Sequence, residues 1–168
     1  MPPPLKIFPD SNVRPLKFSY MGKVKDLLNR KGTQVYSVAP DTIILDALRL
    51  MSDKNVGALL VMEGEQPVGI FSERDYARKI ILKGRTSLDT RVDEIMADEL
   101  VTVTPEETID QCMALMSARR VRHLPVIADG RLAGVVSIGD VVKHIIEEQG
   151  IYIEHLRLYM AGEGEFRV

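Results

Sequence analysis

The amino-acid sequence predicts an α/β (α+β) fold: two β-α-β-β-α repeats packed with pseudo-two-fold symmetry. The first reason is an ungapped internal repeat. Laying residues 37–75 over residues 102–140 gives 12 identities in 39 pairs, among them Val38 on Val103, Pro40 on Pro105, Leu50-Met51-Ser52 on Leu115-Met116-Ser117, Gly69 on Gly134, Ser72 on Ser137 and Asp75 on Asp140. Unrelated chains of average composition would share roughly two or three. The second reason is a change of hydrophobic period inside each copy, from helical spacing to short apolar runs bounded by turn residues. The third is composition: 168 residues, 45% hydrophobic and 27% charged, are enough to bury a core and too apolar for disorder.

Each copy opens on a short amphipathic turn, Val24–Leu28 and Val92–Met96, related by a slightly longer offset. The first copy therefore carries about three extra residues, placed most simply in a loop Arg30-Lys31-Gly32-Thr33. A short β segment follows, Val35–Val38 or Val101–Val103. Apolar residues at 44, 47, 48 and 51, and at 109, 112, 113 and 116, then keep the i, i+3, i+4, i+7 spacing of a helix. Next come hairpins: Ala58–Met62 with Pro67–Phe71, turning through Glu63-Gly64-Glu65-Gln66, and Leu124–Ile127 with Leu132–Val136, turning through Ala128-Asp129-Gly130-Arg131. A second helix starts after Ser72 and Ser137, with Gly84 as its stop in the first copy. The units read as an extended, proline-rich arm at 1–20, repeats at 21–84 and 85–147, and a C-terminal helix and tail at 148–168 that Gly150 is expected to interrupt.

A net charge of −2 argues against a dedicated nucleic-acid binder. The longest apolar run, Val56–Met62, is far short of the roughly 20 residues that span a bilayer, and the N-terminus lacks a signal-peptide run, so no membrane association is expected. The single cysteine, Cys112, forms no internal disulfide and points to a reducing, cytoplasmic setting. It falls on an apolar helix face and reads as a core residue. His144 and His155 lack the partners of a zinc site. No hydrolase or phosphate-loop motif occurs, so neither catalytic residues nor a catalytic cofactor are assigned.

Each copy resembles a CBS domain, and the pair resembles a Bateman module of the free-standing CBS-pair type. The likeness rests on Gly69-Ile70-Phe71-Ser72-Glu73-Arg74-Asp75, Gly134-Val135-Val136-Ser137-Ile138-Gly139-Asp140, Val121-Arg122-His123-Leu124-Pro125-Val126 and the Val-x-Pro openings at 38–40 and 103–105. The resemblance implies a regulatory, non-catalytic sensor that binds adenosine-containing ligands (AMP, ADP, ATP, sometimes NAD(H) or S-adenosylmethionine) in clefts between the repeats. It also implies a homodimer and a regulated partner protein. The other reading is a dimerisation or assembly module with vestigial clefts.

Ser72-x-x-Asp75 and Ser137-x-x-Asp140 fit a capping box, with Asp for the usual Glu. An ionised Asp also accepts both hydroxyl hydrogens of a ribose, and the two readings are compatible. The resemblance assigns Asp75 and Asp140 to ribose, with Ser72 and Ser137 assisting. It assigns Arg122 and His123, then Arg120, to phosphate, for which Arg supplies bidentate donors. Gly57 and Ala58 stand at the corresponding places of the first copy and leave room for a base or ribose. Ser37 and Thr102 lie on the β segments that run beside the adenine in this family. Gly69 and Gly134 read as close-packing positions, and Arg74 as a surface residue or phosphate contact.

Overall fold

The computed structural model describes residues 22–160; the N-terminal arm and the last eight residues lie outside them. Its elements run α1 (Val24–Lys31), β1 (Ser37–Val38), α2 (Ile44–Lys54), β2 (Ala58–Glu63), β3 (Gln66–Ser72), α3 (Glu73–Lys79), 3₁₀ turns at Ile81–Lys83 and Val92–Glu94, α4 (Ile109–Arg119), β4 (His123–Ala128), β5 (Arg131–Ser137) and α5 (Ile138–Met160). The α/β expectation holds. Helices pack on two small sheets, one ordered β1-β2-β3 and the other β4-β5.

The hairpins share one register. Leu59 faces Phe71 and Val61 faces Gly69 in the first; Leu124 faces Val136 and Val126 faces Gly134 in the second. Each has a bulge at the same place, after Val61 and after Val126. Asp129 (φ 49°) and Gly130 (φ 74°) make the second turn with both central residues left-handed, which suits the twist of a two-residue hairpin.

The first copy pairs β1 with β2 in parallel through Ser37–Leu60 and Val38–Val61. In the second copy only the bridge Val103–Val126 remains. The cause is one residue. Leu60 N–H donates to Tyr36 O at 3.1 Å, but its counterpart Pro125 has no N–H to donate. Two other expectations are corrected. Lys31 is the last residue of α1 rather than part of a loop. Helix α5 runs unbroken through Gly150, because a single glycine costs a helix only about 1 kcal/mol relative to alanine. Gly84, at φ 63°, closes the 3₁₀ turn that follows α3.

Two apolar cores form, and the opening turns are exchanged between them. The first core joins Ile44, Met51, Leu59 and Phe71 of the first copy to Val92 and Ile95 from the start of the second. The other joins Ile109, Cys112, Leu124 and Val136 to Val24, Leu27 and Leu28 of α1. Backbone bonds repeat the exchange: Val24 N–H donates to Glu107 O at 2.9 Å, and Val92 N–H to Thr42 O at 2.8 Å. The glycines make room for it. A Cβ on Gly134 would lie 2.8 Å from Leu28 Cδ2, and one on Gly69 would lie 2.5 Å from Met96 Sδ and 2.9 Å from Ala97 O.

Candidate functional site

Two clefts lie between the copies, each built crosswise. The first, of about 350 Å³, brings Ser72 and Asp75 at the start of α3 against Leu100, Val101, Arg120, Arg122 and His123 of the second copy. The other, of about 310 Å³, brings Ser137 and Asp140 at the start of α5 against Val35, Tyr36, Gly57 and Ala58 of the first. Gly57, Ile70 and His123 line both, so the clefts adjoin. Both volumes fall in the small-molecule range of about 300–1,000 Å³.

Each serine caps the helix it precedes. Ser72 Oγ accepts from Asp75 N–H at 3.3 Å, and Asp75 Oδ2 accepts from Ser72 N–H at 3.1 Å and from Ser72 O–H at 2.6 Å. Ser137 Oγ accepts from Asp140 N–H at 3.1 Å, while Asp140 Oδ2 accepts from Ser137 N–H at 2.8 Å. The capping boxes fix each carboxylate at a cleft edge. They differ in their cations. Lys79, one turn along α3, sits 3.1 Å from Asp75 Oδ1. Lys31, from α1, reaches across to Asp140 Oδ2 at 2.6 Å.

Burial works to raise the Asp140 carboxyl, but the Lys31 ammonium and the Ser137 donors outweigh it and hold the group below the usual carboxylate range. His123 moves below its ordinary value, chiefly through burial. Asp140 and Glu73 oppose that shift, and Lys31 and Arg122 add to it. An unfolded histidine, near 6.5, then takes up a proton that the folded one resists. Folding stability is expected to be full above that value and to fall as pH drops from about 6.5 toward the lower folded pKa. His123→Asn should flatten that slope in urea titrations between pH 5 and 8; an unchanged slope refutes the assignment.

The structure gathers Ser72, Asp75, Gly57, Arg120, Arg122 and His123 in one cleft and Ser137, Asp140, Gly57, Ala58 and His123 in the other. Ser37 and Thr102 line neither. They alternate with Tyr36 and Val38, and with Val101 and Val103, which pack on the cores, so period-2 alternation turns them away. Arg74 donates through Nη1 to Arg120 O at 3.2 Å, tying α3 to the end of α4. Sequence reasoning missed Lys31, Lys79, Glu99 and the shared Ile70. Lys31 was hidden because the repeat comparison reads it as an insertion.

Cys112 is fully buried in the second core, where burial pushes its thiol up to about 12. His144 is buried between Arg30, whose Nη1 lies 3.3 Å from its Nδ1, and Glu148, 3.2 Å from its Nε2. The side chain of His155 lies outside the described residues. Among the described residues, no group of His, Cys, Asp or Glu is placed to hold a metal ion, and no helix is long and apolar enough to cross a membrane.

Comparison with known proteins agrees with this layout. The CBS domain family matches residues 24–82 and 92–147. The mitochondrial CBS domain-containing protein CBSX3 of Arabidopsis thaliana is 42% identical over 149 residues, covering 83% of this chain and 72% of its own. The structure of a putative signal-transduction protein with CBS domains from Burkholderia ambifaria superposes with a TM-score of 0.74 at 46% identity, covering 76% and 96% of the two chains. The CBS domain pair of protein MJ0100, solved with 5′-methylthioadenosine and S-adenosyl-L-methionine, shares the fold at 24% identity, with a TM-score of 0.62 over 74% of this chain and 95% of that one.

Proposed function

Because this chain belongs to the CBS-domain family, carrying two copies of the domain in tandem, we propose that it is a non-catalytic regulatory sensor of adenosine-containing ligands (AMP, ADP, ATP or NAD(H)). The observation that carries this reading is the crosswise pair of clefts, each with a capped carboxylate on one side and strand backbone on the other. A carboxylate held by its serine on one edge still offers lone pairs to a ribose diol. A relative in fold, MJ0100, was solved with adenosine-derived ligands. Ligand in a cleft touches both copies at once, so it favours the arrangement of the copies that fits it best. The protein acts as a homodimer, and a partner protein responds to that shift.

A second reading, an assembly module with vestigial clefts, draws support from the capping boxes, which account for Ser72, Asp75, Ser137 and Asp140 without any ligand. Calorimetric titration of the full chain with AMP, ATP, NADH and S-adenosylmethionine separates the two. The sensor binds at least one of them at sub-millimolar concentration. Asp140→Ala then weakens binding at its cleft about tenfold, as expected for lost charge-assisted hydrogen bonds. No binding, together with a lowered melting temperature in Asp140→Ala, establishes the assembly reading.

A further inference from the structure

The two clefts carry different charge. Five Arg and Lys side chains face three carboxylates in the Asp75 cleft. Two of those cations are engaged: Lys79 by Asp75, and Arg74 by Arg120 O. The guanidinium groups of Arg78, Arg120 and Arg122 make no hydrogen bond or ion pair among the described residues and stand at the cleft as open donors. The Asp140 cleft has one lysine and one carboxylate, Lys31 and Asp140, bound to each other at 2.6 Å. Apart from His123 its other lining residues are uncharged. The internal repeat sharpens the contrast. Asn55 and Gly57 of the Asp140 cleft correspond to Arg120 and Arg122.

We propose that the clefts divide the ligand chemistry: the Asp75 cleft takes the phosphate-bearing adenosine compound, and the Asp140 cleft takes an uncharged nucleoside. This rests on the adenosine reading above. A phosphate in the Asp75 cleft meets arginines with fixed forks and no competing partner among the described residues. In the Asp140 cleft it finds a cation only by breaking the Lys31–Asp140 pair, and that leaves two anions facing each other. A neutral nucleoside meets no such repulsion. Lys31 holds Asp140 at 2.6 Å, closer than the 3.1 Å at which Lys79 holds Asp75, so this cleft fills second.

The test is calorimetry on the full chain with two probes, adenosine and AMP. The wild type is expected to show one site that prefers AMP by about tenfold, the scale of lost charge-assisted hydrogen bonds, and a weaker site that prefers adenosine. The double variant Arg120→Asn, Arg122→Gly places the residues of the other cleft in the first, and Asn is well suited to the left-handed φ of 54° at position 120. It should lose the AMP preference and keep adenosine binding. Lys31→Met should tighten adenosine at the second site. Equal affinity for the two probes in the wild type, an AMP preference that survives the double variant, or weaker AMP binding at the tighter site in Lys31→Met each overturns the division while leaving the adenosine reading intact. Failure of both probes to bind overturns the adenosine reading, and the division with it.

Discussion

Replacing Leu28 with alanine is expected to lower the unfolding free energy by about 2–5 kcal/mol, the usual cost of emptying a core leucine site. Leu28 is only 5% exposed, and its side chain lies in the core built by Ile109, Cys112, Leu124 and Val136. The loss therefore falls on the copy to which Leu28 does not belong in sequence. Hydrogen exchange should show the amides of β4 and β5 losing protection ahead of those of β2 and β3. Earlier loss in β2 and β3 would refute the exchanged packing.

Gly69→Ala carries the next largest effect, at the upper end of the roughly 1–3 kcal/mol that overpacking costs. Its Cβ would enter the space of Ala97 O, at 2.9 Å. That carbonyl has little freedom, because Ile70 N–H donates to Ala97 O and Ala97 N–H donates to Ile70 O, both at 2.9 Å. Moving the Ala97 backbone loosens both bonds; keeping it forces a contact that real Cβ atoms do not make. Urea denaturation measures the loss, and a change under about 0.5 kcal/mol, the level of an ordinary surface substitution, would show that the site yields.

Local features were legible because short-range chemistry writes them. The helical spacing around Ile44 and Ile109, the Asp129-Gly130 turn and the two Ser-x-x-Asp caps all appear where their residue types demand. What escaped depends on partners remote in sequence. An offset between copies pairs Val24 with Val92 but does not say which core receives either. Pro125 carries a visible defect, yet the loss of a β1 counterpart follows only once its neighbour is known to be Val101. For the clefts, the carboxylates and arginines stood out by type, and their crosswise pairing did not. Lys31 acquires its place from Asp140, 109 residues away.

The exchanged turns also set a schedule for the newly made chain. Val24, Leu27 and Leu28 leave the ribosome early, but the core that shelters them needs residues far downstream, as in the pairing of Lys23 with Glu106, 83 residues on. At about 5–20 residues per second those 83 residues alone take roughly 4–17 s, and Val136 and Val141 of the same core follow later still. The first core is complete once Val92 and Ile95 have emerged, so it can close while synthesis continues. The apolar face of α1 thus waits for its core until the second copy is made.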